Sequence, residues 1–240
     1  MGIIWKPNTA LSIPLLLLLL EEAEKNIEEA STGDIENVWV CFTTYITISY
    51  VVSLRGSEGL LLDMNGLVKH WKRNDWTYFL IPLLGRIKGE EVERSHLIPC
   101  ANTTSTLIKT KAVVRRLMHL KMKQGFVDGP AISDCQGRAL STSEFDDMMT
   151  EILEDIFDKK PELFPPHILG RENINERYHC FRSFQRTSDT RAIEMNLKTT
   201  DIDIVHKWRQ AGKRFSQPMK QYYAQIELLI GPFKRYTKAM

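Results

Sequence analysis

The chain predicts a mainly α fold with a small antiparallel β-sheet, an α+β class, and three observations carry that expectation. Phe145, Met148, Met149, Ile152, Leu153 and Ile156 recur at the three- and four-residue spacing of a helix face. Two β-rich runs, 78–84 and 92–99, flank Gly85-Arg86-Ile87-Lys88-Gly89-Glu90-Glu91, the pattern of a hairpin with a basic tip. The composition, 43% hydrophobic and 26% charged over 240 residues, is that of a globular chain able to bury a sizeable core. No internal repeat interrupts this picture.

Taken in order, Ser12 can cap a first helix with Pro14 in its first turn, spanning about 12–30. Its six consecutive leucines, Leu15 to Leu20, pass into an exposed face at Glu21, Glu22, Glu24 and Lys25. That run is far below the ~20 apolar residues that span a bilayer, so no membrane anchor is expected. Glutamates stand where a small-residue cleavage site would follow, which argues against a signal peptide. Asp34 opens a second, strongly apolar helix through Trp39, Phe42, Ile46 and Val51, and Ser53-Leu54-Arg55-Gly56-Ser57-Glu58-Gly59 ends it. The two glycines there let backbone and Arg55 approach a ligand closely.

Beyond the hairpin, Ser105 to Lys123 places apolar residues at 107, 108, 113, 114, 117 and 120, with basic ones at 109, 111, 115, 116, 121 and 123. This reads as an amphipathic helix with a positive outer face. Residues 125–138 are turn-rich, and Ser141, Thr142 or Ser143 caps the periodic helix that follows. Pro161, Pro165 and Pro166 mark 158–170 as a connection. Thr199 or Thr200 then caps a helix whose apolar stripe is Ile202, Val205 and Trp208, and Tyr222 and Tyr223 come after it.

Charge is divided unevenly along the chain. Residues 171–240 hold 14 Lys and Arg against 7 Asp and Glu, net +7, whereas residues 1–170 hold 18 against 23, net −5. The basic third also carries Arg182, Arg186, an indole donor and late tyrosines, the residue types that handle a phosphate diester. Cys41, Cys100, Cys135 and Cys180 lack ligand-like spacing, so free thiols in a reducing, intracellular setting are expected. The six histidines show no HxxxH pair and the chain has no P-loop, so neither a metal nor a nucleotide cofactor is expected.

The order Arg55, Lys88, Arg182 or Arg186, Trp208, Tyr223 resembles the catalytic domain of the tyrosine recombinases, the phage-integrase type of DNA breaking and rejoining enzymes. It is similar in particular to integrase-like proteins of eukaryotic mobile elements. Leu54-Arg55-Gly56-Ser57-Glu58-Gly59-Leu60-Leu61-Leu62 resembles the family's Leu-Arg-x-Ser-Glu-x-x-x-Leu context, Lys88 sits on a hairpin as the family's lysine does, and Ala139-Leu140-Ser141-Thr142-Ser143-Glu144-Phe145 resembles its Pro-Leu-Ser-x-x-x-Phe helix. Arg182-Ser183-Phe184-Gln185-Arg186-Thr187-Ser188-Asp189-Thr190 resembles its His-Ser-Phe-Arg-Arg-Gly-Gly-Ala-Thr segment, with Gln185 at the second arginine. A rival register takes His179-Cys180-Phe181-Arg182 as the His-x-x-Arg motif; Trp208 then lies 26 residues after Arg182, against 23 after Gln185. The gap from Trp208 to Tyr223 is longer than usual for the family, with 212–218 resembling an inserted loop. The resemblance implies two parts: 1–33, an N-terminal helix that is a remnant of, or linker from, a DNA-clamping domain, and 34–240, the catalytic domain.

The implied chemistry assigns each residue a task. A tyrosine hydroxyl, Tyr223 with Tyr222 and Tyr236 as rivals, attacks the phosphate and stays attached to the 3′ end, keeping the bond energy for rejoining. Arg55 with Arg182 or Arg186 clamps the non-bridging oxygens, since guanidinium forks bind them bidentately and remain charged. Lys88 protonates the leaving 5′ oxygen and Trp208 donates its indole N–H. Simpler readings stand beside these: a helix-end Arg55 neutralising carbonyls, a solvated turn Lys88, a solvated arginine face and a core Trp208. The expected partners are double-stranded DNA and further copies of the chain, with no membrane, and the nucleus if the chain is eukaryotic. Two alternatives accompany this: a catalytically degenerate remnant that binds DNA, and type IB topoisomerase-like strand relaxation.

Overall fold

Ser12 does start the first helix: its Oγ accepts from the Leu15 N–H at 3.4 Å, Pro14 lies in the first turn, and α1 runs Ile13–Glu28. The computed structural model describes residues 9–71, 78–86, 93–101, 108–180, 182–202, 205 and 231–240. Thr32 caps α2 (Gly33–Val51) through the Ile35 N–H. Every residue from Val40 to Leu54 is buried, so α2 is the central helix and needs no polar face. Thr43 and Thr44 satisfy their hydroxyls within the helix, donating to the Trp39 and Val40 carbonyls at 2.9 and 2.8 Å. Around α2 pack α1, α5 (Thr110–Lys123) and α8 (Ser183–Glu194).

The short α3 (Gly56–Gly59) and α4 (Met64–Trp71) fill the stretch between α2 and the sheet, where no helix was expected. Strands β1 (Tyr78–Gly85) and β2 (Arg94–Ala101) pair antiparallel, with Ile81 opposite Ile98 and Gly85 opposite Arg94. The class is therefore mainly α with a small antiparallel sheet, as the pattern predicts. The hairpin tip at 87–92 lies outside the described residues.

Ser141 is the cap of α6 (Thr142–Lys159): it accepts from the Glu144 N–H at 3.3 Å while its own N–H donates to Glu144 Oε2 at 2.7 Å. The helix runs two residues into the expected connection, through Lys159, before a 3-10 turn at Pro161–Leu163 and α7 (Glu172–Arg177). Two expectations are corrected at helix starts. α5 begins at Thr110, because Ile108 leaves helical geometry to enter the core. The helical turn at 199–202 begins one residue early: the Lys198 carbonyl accepts from the Asp201 and Ile202 N–H groups, so Thr199 and Thr200 lie inside it.

A third correction concerns charge. Lys121, counted among the basic residues of a positive outer face, is 0% exposed. Its ammonium donates to Asn37 Oδ1 at 2.7 Å, the Ser133 carbonyl at 2.6 Å and the Asp134 carbonyl at 3.3 Å, with Phe126 below. Burial lowers its pKa, while three acceptors for its three protons make the burial tolerable. All four cysteines are free, and Cys41, Cys100 and Cys180 are buried. Among the described residues no helix is long and apolar enough to cross a membrane.

Candidate functional site

The corner where α2 ends is built around backbone that only a few side chains tolerate. Ser53 takes φ 54°, which turns the chain out of α2 and lets the Leu54 N–H return to the Ser49 carbonyl at 2.9 Å. Arg55 then caps α3: its N–H donates to Glu58 Oε2 at 2.9 Å and its carbonyl accepts from the Glu58 N–H at 2.8 Å. Gly59 lies against α2, where a Cβ would sit 2.6 Å from Ser49 Oγ and 2.8 Å from Tyr45 Cε2. Arg55 is thus held half-buried at a rigid corner whose glutamate, Glu58, is 2% exposed.

That corner docks on α8. Ser53 Oγ donates to Asp189 Oδ1 at 3.1 Å, and Asp189 lies one helical turn beyond Gln185 and Arg186. Arg182 occupies the cap position of α8, and the His179 carbonyl accepts from its N–H at 3.2 Å. Arg182, Gln185 and Arg186 are all half-buried. His179 is held by the neighbouring helix, with Nδ1 3.9 Å from Asp146 Oδ2 and its N–H on Ser183 Oγ at 3.0 Å.

The hairpin approaches the same corner. The Leu84 N–H donates to the Leu61 carbonyl at 2.8 Å, and Leu62 bridges Leu83, so the strand end that leads toward Lys88 is fixed six residues after Arg55. Lys88 itself, Trp208, Tyr222 and Tyr223 lie outside the described residues. On either side of the 206–230 stretch that carries the last three, Asp201 and Arg235 form a two-pronged ion pair at 2.6 and 2.7 Å. This bond holds the Asp201 carboxyl below its usual range.

Tyr236, the third rival nucleophile, has a different role. It is 0% exposed, its hydroxyl sits 2.7 Å from Ser188 Oγ and donates to Asp189 Oδ1 at 3.3 Å, and burial pushes its phenol pKa up. It fastens the 231–239 helix to α8 and is sealed from any phosphate. Ser53, Asp189 and Tyr236 therefore form a polar joint of the α2 corner, α8 and the last helix that sequence reasoning did not anticipate. The one available signal was Asp189 at helical spacing from Arg186. Two clefts, of ≈ 530 and ≈ 460 Å³, lie toward the other end of α2, lined by residues such as Asp34 and Cys135 in one and Glu36 and Arg115 in the other.

In comparisons with known proteins, no family model matches the chain and no curated protein matches it.

Proposed function

We propose that this chain is a DNA strand-cleaving and rejoining protein of the tyrosine-recombinase type, acting in site-specific recombination or integration of a mobile element. The observation that supports it best is the joint at Asp189, which docks the Arg55 corner on the helix bearing Arg182 and Arg186, while the strand toward Lys88 is tied to Leu61. Ser53 and Asp189, 136 positions apart, are hydrogen-bonded, and Arg55 and Arg186 stand two and three residues from them in sequence, which favours the convergence a phosphate clamp requires.

In this reading Arg55 and Arg182 or Arg186 bind the non-bridging oxygens of the scissile phosphate and stabilise the extra charge of the pentavalent transition state. The Tyr223 hydroxyl attacks phosphorus, its proton leaves, and the 5′ oxygen departs with a proton from Lys88. The 3′-phosphotyrosine is then attacked by the 5′ hydroxyl of a partner strand, restoring the diester and the free tyrosine. The partner is double-stranded DNA, bound by several copies of the chain, and the nucleus is the compartment if the source is eukaryotic.

The test is a nicked suicide duplex, from which the short 5′-hydroxyl fragment diffuses away and traps the protein. Wild type forms a covalent adduct resistant to denaturant; Tyr223→Phe forms none while Tyr222→Phe retains it. Absence of adduct from wild type refutes the cleavage reading. A second reading, a DNA-binding remnant that does not cut, is favoured by one specific observation: α8 presents a half-buried glutamine, Gln185, at the position the resemblance gives to the second arginine. No adduct together with salt-sensitive duplex binding is its signature.

A further inference from the structure

The outer face of α5 is a cationic surface of the described chain that the site above does not use. Between Thr110 and Lys123 the helix has no acidic residue. Its apolar side, Val114, Leu117 and Met118, is buried against the core, and Lys121 also points inward. Arg116 is engaged by Glu24 through two bonds at 2.5 and 2.6 Å. What remains outward is a stripe of Arg115, His119 and Lys123, all exposed, and none paired to a carboxylate among the described residues. These three line one cleft of ≈ 460 Å³ with Ala112, Leu120 and one carboxylate, Glu36.

The spacing of the stripe selects its occupant. Positions i, i+4 and i+8 fall on one line, separated by ~6 Å steps, about 12 Å in all. At ~3.4 Å of axial rise per phosphate of one strand, this line covers roughly three to four phosphates. A lipid surface fits less well, because the apolar face that would enter a bilayer is already packed against α2. The stripe also lies beside Glu36, near the start of α2, whereas Arg55 follows its end; a 19-residue helix separates them by about 28 Å.

We infer that the Arg115, His119 and Lys123 face of α5 is a second contact for the phosphodiester backbone of duplex DNA, remote from the Arg55 corner. It rests on the reading that the chain binds duplex DNA, and it requires no cleavage. The contact supplies affinity without base readout, as phosphate contacts do.

The experiment measures fluorescence anisotropy of a labelled 30-base-pair duplex, of any sequence, across a salt series with the full chain. Arg115→Ala/Lys123→Ala is compared with wild type, and a second variant, Arg115→Gln/Lys123→Gln, guards against a folding artefact read by circular dichroism. The expected result is a slope of log affinity on log salt shallower by about 2, and binding roughly 10- to 100-fold weaker near 0.1 M salt. Wild-type binding with unchanged slope in both variants overturns the α5 contact and leaves the DNA reading standing. Failure of wild type to bind any duplex overturns both.

Discussion

Gly59 carries the tightest packing at the candidate site. A Cβ there would lie 2.6 Å from Ser49 Oγ and 2.8 Å from Tyr45 Cε2, closer than real Cβ contacts, so Gly59→Ala forces α3 away from α2. A loss of roughly 1–3 kcal/mol is expected in urea unfolding; under the proposed cleavage reading adduct formation falls with it, because the displaced element is the one that Arg55 caps. Tyr236 gives the complementary case. Tyr236→Phe leaves Ser188 and Asp189 each one partner short inside the protein, a cost of about 1–2 kcal/mol in the same measurement. If the proposed cleavage reading holds, Tyr236→Phe still forms the trapped adduct and Tyr223→Phe does not, so trapping separates the two tyrosines.

Among the elements, α6 shows what a sequence can reveal. Its apolar repeat and its Ser-x-x-Glu start both belong to one local stretch, and the helix forms there with Ser141 at the cap. Ser141→Ala is expected to cost roughly 1 kcal/mol, read from the shift of the urea midpoint. The hairpin was legible for the same reason, since the two strands are adjacent in sequence. α3 and α4 were not, because a four-residue helix has no period to detect and α4 follows directly from an apolar run. Lys121 was misplaced because its charge was weighed above its spacing: it stands seven residues after Val114 and four after Leu117, on the buried side of α5, where three oxygens receive its ammonium. The joint of Ser53, Asp189 and Tyr236 was hidden for a related reason, being made by residues 136 and 47 positions apart.

At the scale of the whole molecule, charge and covalent order tell different stories. Net positive charge gathers in the last 70 residues, yet the α5 stripe lies in the net-negative part of the chain, where local pairing of acids such as Glu24 leaves cations exposed. The Asp201–Arg235 pair ties the turn at 199–202 to the 231–239 helix, and its pKa effect has a defined sign. The folded carboxyl titrates below its ordinary value of 3.8, so the unfolded chain takes up the proton first as pH falls. The stabilisation is complete above that value and is lost as pH drops through the folded pKa. Wild type is expected to lose stability below about pH 4 more steeply than Asp201→Asn, measured by thermal unfolding between pH 2.5 and 6. Parallel curves for the two proteins would remove this pair from the acid response.

The most direct measurement asks whether, and through which side chain, the protein becomes linked to DNA. After trapping on the suicide duplex, nuclease and protease digestion followed by mass spectrometry locates the residual nucleotide. A 3′-linked nucleotide on the Tyr223 side chain, with a free 5′ hydroxyl on the released strand, is the predicted result. A nucleotide on any residue other than Tyr223, a 5′ linkage, or no linked peptide contradicts the account.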